Sequence, residues 1–200
     1  MTRQTTAPIV NQQFTTTDRV ARELARFAED PDAGMVLDAP YQRGDVWTTD
    51  QRISLVRSWL MGLPIPAVIV NNRMTRAWKD ANPGEAATAA GYAAIDGRQR
   101  ITTAVLWFSG ELLVPASWFA AEDIERVTDT DDGPYVRYPD LCKPARTGIA
   151  FSWKLPMAEA QVATVAEEAE IYLLVNGGGT PQSDADMARA AQIAATEDPR

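Results

Sequence analysis

The chain has 200 residues, 46% of them hydrophobic, which supports one well-buried domain with at most a small appendage rather than two full-sized ones. Its net charge of −8 and pI near 4.6 exclude a protein whose whole surface grips duplex DNA, because phosphate neutralisation needs clustered Lys and Arg; any nucleic-acid contact must be local. There is no histidine, so HNH-type nucleases, Ser-His-Asp hydrolases and HExxH proteases, which all depend on imidazole, are excluded.

In chain order, residues 1–14 are polar and aperiodic and read as a mobile arm, ahead of a single domain over 15–195. A helix is expected next: Thr16 or Thr17 caps it, Asp18 favours its first turn, and Val20, Leu24 and Phe27 share one face until Asp30-Pro31-Asp32 stops it. Met35-Val36-Leu37 suits a short strand, and Tyr41 to Trp47 a loop. Thr48 or Thr49 then caps a second helix with Ile53, Val56 and Leu60 on one face, closed by Gly62 and Pro64. Ala67 to Val70, a short apolar run between Pro66 and Asn71-Asn72, reads as a buried strand.

Residues 75–90 are rich in Ala, Asn, Pro and Gly and read as a surface excursion. Gly91 to Ile95 is a strand that delivers the chain into Asp96-Gly97, where a glycine-permitted turn opens a helix bearing Ile101, Val105 and Phe108. Glu111 to Val114 is another short strand. Residues 120–148 carry the acidic tract Asp129-Thr130-Asp131-Asp132-Gly133 and several prolines and read as an exposed insertion. Ile149 to Leu155 suits an edge strand, about Ala158 to Val175 a helix ending in Asn176-Gly177-Gly178-Gly179-Thr180-Pro181, and Ser183-Asp184 the cap of a last helix. Short strands alternate with helices without a long βαβ rhythm, so the predicted fold class is α+β, a small mixed sheet packed by helices.

The single cysteine, Cys142, excludes an intramolecular disulfide and a cysteine-rich metal site. No stretch approaches the roughly 20 apolar residues that span a bilayer, and the N-terminus lacks the apolar run of a signal peptide, so a cytoplasmic protein with no membrane partner is expected.

Three segments can carry chemistry. At Asp96-Gly97-Arg98-Gln99-Arg100 a strand ends, a glycine allows a sharp turn and a helix begins; amides at a helix N-terminus attract anions. Arg98 and Arg100 can grip phosphate oxygens, and Asp96 can hold a metal ion or orient an attacking water. The plainer reading is that Asp96 caps the helix while the two arginines are solvated or paired with carboxylates. Tyr41-Gln42-Arg43 with Trp47 combines a stacking surface, an amide and a cation, a set suited to a base and a phosphate; alternatively Tyr41 and Trp47 are core aromatics. Asn176 to Thr180, with Gly178 at its centre, is a loop whose amides can approach a ligand, or a helix C-cap and turn; without a following Lys-Ser or Lys-Thr it is no ordinary P-loop.

Taken in order, Tyr41 to Gln51, Leu63 to Pro66, Asp96 to Thr103 and Asn176 to Pro181 form a pattern that resembles the GmrSD N-terminal-type family of the ParB/sulfiredoxin-like superfamily, over roughly residues 35–190. The resemblance implies a ParB/sulfiredoxin-like fold and a nucleoside-triphosphate ligand, bound and hydrolysed with Mg or Mn, in DNA defence, counter-defence or DNA modification. Asp96, Gln99 and Arg100 match the family's Asp-Gly-Gln-Gln-Arg motif, and Arg98 replaces its first glutamine. Carried over, Asp96 serves the metal or water, Arg100 and Arg98 the phosphates and Gln99 the positioning. Tyr41, Gln42, Arg43, Gly97, Thr102, Asn176, Gly178 and Thr180 complete the nucleotide site. Members that cut DNA carry a C-terminal HNH-type nuclease domain; with neither that domain nor a histidine, cleavage by that route is not expected here. The alternatives are a non-catalytic module that binds nucleotide, DNA through a local patch, or a protein partner, and a ParB-like phosphoryl transferase.

Overall fold

The computed structural model describes residues 12, 14–30, 34–42, 46–84 and 90–177. These form β1 (Thr15–Val20), α1 (Ala21–Glu29), β2 (Met35–Val36), α2 (Thr49–Leu60), β3 (Val68–Asn72), α3 (Arg76–Ala81), β4 (Tyr92–Asp96), α4 (Arg98–Ser109), β5 (Val114–Pro115), β6 (Thr128–Thr130), β7 (Gly133–Val136), α5 (Lys143–Ser152), β8 (Lys154–Ala160) and α6 (Val165–Gly177). The main sheet has the order β1-β8-β3-β4-β2; β1/β8 and β3/β4 are antiparallel, β8/β3 and β4/β2 parallel. A second, antiparallel sheet runs β5-β7-β6. The architecture is α+β with a mixed sheet, as the alternation of short elements predicts.

Strand alternation sets the two faces of the main sheet. Val68, Val70, Ala94, Leu155 and Met157 point into the larger core, where Leu24 of α1, Val56 of α2 and Ile101 and Trp107 of α4 cover them. Ile95 and Ala160 point the other way, with the partly buried Ile69, into a smaller core closed by Ile171 and Tyr172 of α6. The larger core continues into an aromatic stack. Trp153 lies 5.3 Å from Trp59 and 5.7 Å from Trp107, both near-parallel, and the Trp59 indole donates to the Lys154 carbonyl at 2.8 Å. Each such ring pair is worth about 0.5–1.5 kcal/mol beyond its burial.

Several elements depart from the sequence reading. Thr15 to Val20 is a strand and not the start of a helix: its β-branched run pairs along β8 from Thr15 opposite Glu159 to Val20 opposite Lys154. The helix therefore starts at Ala21, whose N–H donates to the Trp153 carbonyl at 2.8 Å, and Val20 provides no side-chain cap. α2 is capped by Thr48 in a capping box with Gln51, but its buried stripe is Arg52, Leu55, Val56 and Trp59; of the expected face only Val56 is fully buried. Within 75–90, read as surface, Thr75 caps α3 and Trp78 is 2% exposed. β5 begins at Val114 rather than Glu111.

Lys143 to Ser152 forms a helix where an edge strand was expected from Ile149, and the strand that follows is interior, flanked by β1 and β3. That strand occupies Lys154 to Ala160, so α6 starts at Val165 rather than near Ala158. Residues 120–148, read as an exposed insertion, divide: Asp131 and Asp132 at the hairpin tip are exposed, whereas Val136, Tyr138 and Leu141 are buried in the larger core. Among the described residues no helix is long and apolar enough to cross a membrane. Of the arm expected at 1–14 only residues 12 and 14 are described, and the last helix expected at Ser183-Asp184 lies outside the described residues.

Candidate active site

Asp96 ends β4, Gly97 turns the chain, and Arg98 begins α4. Gly97 has φ 94° and ψ 12°, the left-handed region, and a Cβ there would fall 2.4 Å from Cγ1 of Val68 on the neighbouring strand. Only glycine satisfies both the conformation and the close approach of β3. As N-cap, Gly97 supplies no side-chain bond, so Asp96 does not cap the helix as the plainer reading supposed. The start of a 12-residue helix, with the positive end of its dipole, thus opens where β4 ends.

A cleft of about 190 Å³ lies at this turn. Asp96, Gly97, Arg98, Gln99 and Arg100 all line it; so do Gln42, Val46 and Trp47 from the loop before α2, and Tyr172 and Asn176 from α6. Three distant stretches of sequence meet there. Among the described residues the charged groups in the lining are one carboxylate and two guanidinium groups, a cationic set in an acidic chain.

The turn's side chains are braced. Arg100 Nη2 donates to Asp96 Oδ2 at 2.8 Å and to the Ala67 carbonyl at 3.2 Å, tying α4 to the strand ends. The two side chains are 17% and 27% exposed, so the pair is partly screened from water. Arg52, 5% exposed on the buried stripe of α2, donates to Gln99 Oε1 and to the Thr103 hydroxyl, each at 3.3 Å. Thr103 in turn donates to the Gln99 carbonyl at 2.8 Å. Gln42 Nε2 donates to the carbonyls of Ala94 and Ile95, and its Oε1 is buried without a hydrogen-bond partner among the described residues.

Tyr41 does not line the cleft. Its hydroxyl donates to Glu168 Oε2 at 3.1 Å, and its ring lies 5.7 Å from that of Tyr172, which does. Burial first, then the charge of Glu168 and the hydrogen bond to it, pushes the Tyr41 phenol well above its ordinary range. Glu168 is fully buried and also accepts from Arg73 Nε at 2.9 Å, Arg73 Nη2 at 2.6 Å and Asn71 Nδ2 at 2.8 Å. The Arg73 guanidinium carbon lies 4.4 Å over the Trp78 ring. This network fastens α6, and with it Tyr172 and Asn176, to the sheet behind the cleft.

Thr102 is absent from the lining; the buried hydroxyl on that turn of α4 is Thr103. Trp47 satisfies both readings, lining the cleft and packing against the larger core. Arg43, Gly178 and Thr180 lie outside the described residues, although Gln42 and Val46, on either side of Arg43, both line the cleft. The residues missed in the sequence were Arg52, Arg73, Asn71 and Glu168. Arg52 had a signal, since it sits at the i, i+3, i+4, i+7 spacing of Leu55, Val56 and Trp59, and a charge on an apolar stripe is seldom buried unless paired.

Among the described residues Asp96 is the only carboxylate lining the cleft, and no cluster of three or more His, Cys, Asp or Glu among them could hold a metal ion. A divalent ion there would have to complete its shell with water and the oxygens of a ligand, a manner of binding usual for Mg²⁺ with phosphates.

The family model described as the GmrSD restriction endonuclease N-terminal domain matches residues 24–192. Neither a curated protein nor a solved structure matches the chain. The family match spans well over half of the sequence and contains every residue that lines the cleft, so the chain belongs to the family of GmrSD restriction endonuclease N-terminal domains.

Proposed function

We propose that this chain binds a nucleoside triphosphate at the Asp96 to Arg100 turn and hydrolyses it, in restriction-type DNA defence. The observation that carries the reading is the Gly97 turn, which opens a helix N-terminus flanked by two arginines into one cleft. The cleft's 190 Å³ is smaller than the ~300–1,000 Å³ of pockets that enclose a whole small ligand, a size suited to the phosphate-bearing part. Arg98 and Arg100 take the phosphate oxygens. Asp96 orients the attacking water or a Mg²⁺ or Mn²⁺ ion shared with the phosphates, and that ion would neutralise charge developing on them. Gln99, held by Arg52, positions these groups, and Trp47, Tyr172 and Gln42 offer a stacking surface and an amide for the base. Membership of a restriction-endonuclease family supports the defence role, in a cytoplasmic protein, and the order of the motifs supports a ParB/sulfiredoxin-like fold.

One observation favours a second reading, a module that binds without turnover: Asp96 is engaged by Arg100 at 2.8 Å and has no second carboxylate beside it in the cleft among the described residues. Phosphate release from each of the four ribonucleoside triphosphates, with Mg²⁺ or Mn²⁺ and with and without DNA, separates the two. Hydrolysis lost in Asp96→Ala while the fold persists is the expected result; turnover unchanged in that variant refutes the assignment, and binding without release assigns the module.

A further inference from the structure

We propose that the outer face of α1 and α5 is a contact surface for single-stranded DNA, separate from the cleft at Asp96. Arg22 and Arg26 lie one helical turn apart on α1, about 6 Å along its axis, and Lys143 and Arg146 lie on the first turn of the adjoining α5, about 4.5 Å apart. None of the four forms an ion pair among the described residues, in a chain whose net charge is −8. Arg22, Lys143 and Arg146 line one recess of about 230 Å³ with no carboxylate among the described residues that form its walls. Arg22 and Arg26 also line the neighbouring groove of about 630 Å³. Phe151 lines both and is 70% exposed.

Arg22 faces the Tyr138 ring at 6.0 Å and Arg146 donates to the Pro139 carbonyl at 3.4 Å, which leaves both guanidinium charges without a carboxylate among the described residues. Cations grouped around an exposed ring are the two elements of single-strand recognition, a charged track for the backbone and an aromatic face for a base. An acidic peptide would use the cations but has no need of the ring. The groove is also lined by Glu23, Glu29 and Asp30, of which Glu23 is paired with Arg19 at 2.8 Å, so the cationic track is short. It is the local contact that an acidic chain permits. None of these residues lines the cleft at Asp96, so the surface and nucleotide turnover can be tested apart.

The test is fluorescence anisotropy of a short dye-labelled single strand and its matching duplex on the full chain, across a range of salt. Four contacts to a single strand predict a log–log salt slope of about −2.8. Arg22→Glu combined with Lys143→Glu should weaken binding by about 10-fold or more and bring the slope to about −1.4. A glutamate at position 143 is tolerated at a helix N-terminus, and circular dichroism confirms the fold. Phe151→Ala should weaken the single strand about 5-fold or more while leaving the duplex unchanged, and no variant should alter any phosphate release. The proposal is overturned if the wild type binds neither DNA at low salt, or if the charge-reversed variant binds like wild type. An equal effect of Phe151→Ala on both DNAs also overturns it. So does equally tight binding of polyglutamate or of anionic phosphatidylserine vesicles, which would assign the face to a protein or a membrane.

Discussion

Glu168→Ala should destabilise the fold by about 3–5 kcal/mol, the usual consequence of removing one partner from a buried ion pair. The carboxylate accepts four hydrogen bonds, two of them from Arg73, whose side chain is 9% exposed. After truncation, Asn71 keeps its bonds to the backbone of Val162, so its loss is partial. The Arg73 guanidinium retains only the Trp78 face among its close contacts here and becomes a desolvated, uncompensated charge, which dominates the estimate. Against a total stability of ~5–15 kcal/mol this is a large fraction, and for a domain of this size it lowers Tm by about 6–20 °C. Urea unfolding followed by tryptophan fluorescence measures it. Arg73→Met combined with Glu168→Ala removes both charges and should recover most of the loss, because neither ion is then stranded. A single Glu168→Ala variant within about 0.5 kcal/mol of wild type would refute the view that this network fastens α6 to the sheet.

Gly97→Ala should cost about 2–5 kcal/mol from left-handed strain plus collision with Val68, whereas Gly62→Ala, at φ 67° with nothing within 4 Å of its Cβ, should cost only about 1–2; equal losses in thermal unfolding would refute the steric account. The Tyr41 phenol is pushed up in the folded state, so the native protein keeps a proton that the unfolded chain releases near its ordinary value of 10.0. Its contribution is therefore complete below that pH and is lost as pH rises beyond it, and Tyr41→Phe should flatten the alkaline limb of a Tm-against-pH curve. Thr48→Ala removes the hydroxyl of the capping box on α2 and should lower stability by about 1 kcal/mol in urea titration.

The elements that could be read from residues alone are those whose signals are local. Thr48 with Gln51 announces the start of α2, the run Val68 to Val70 announces β3, and Asp96-Gly97 announces the turn into α4. The turn motif's five residues all line the cleft, because a strand end, a left-handed glycine and a helix start are consecutive in sequence. Gln42, Trp47 and Asn176 were legible as polar or aromatic residues in loop-like segments, and it was the family resemblance, not spacing, that brought Gln42 and Asn176 to the same site as the turn.

The misreadings share one cause, a distant partner that overrides local preference. Thr15 to Asp18 carries helix-cap chemistry, yet β8 pairs with six positions from Thr15 to Val20 and makes the segment a strand. Lys154 to Ala160 has one proline and two alanines, of weak strand propensity, and becomes interior because β1 and β3 claim both its edges. Trp78 lies in a polar stretch and is buried against Arg73, whose own burial depends on Glu168, 95 residues further along the chain.

The sequence by itself determined the composition class, the caps, the glycine turn and the absence of imidazole, all of which depend on one residue or on neighbours within a helical turn. Only the tertiary structure decided which strands lie inside the sheet, that Arg100 is tied to Asp96, that Tyr41 braces the cleft from behind, and that Arg22, Lys143 and Arg146, without an ion pair among the described residues, share a recess with Phe151. Those outcomes rest on burial and charge pairing between segments far apart in the chain, where energies are set by what surrounds a group rather than by what precedes it.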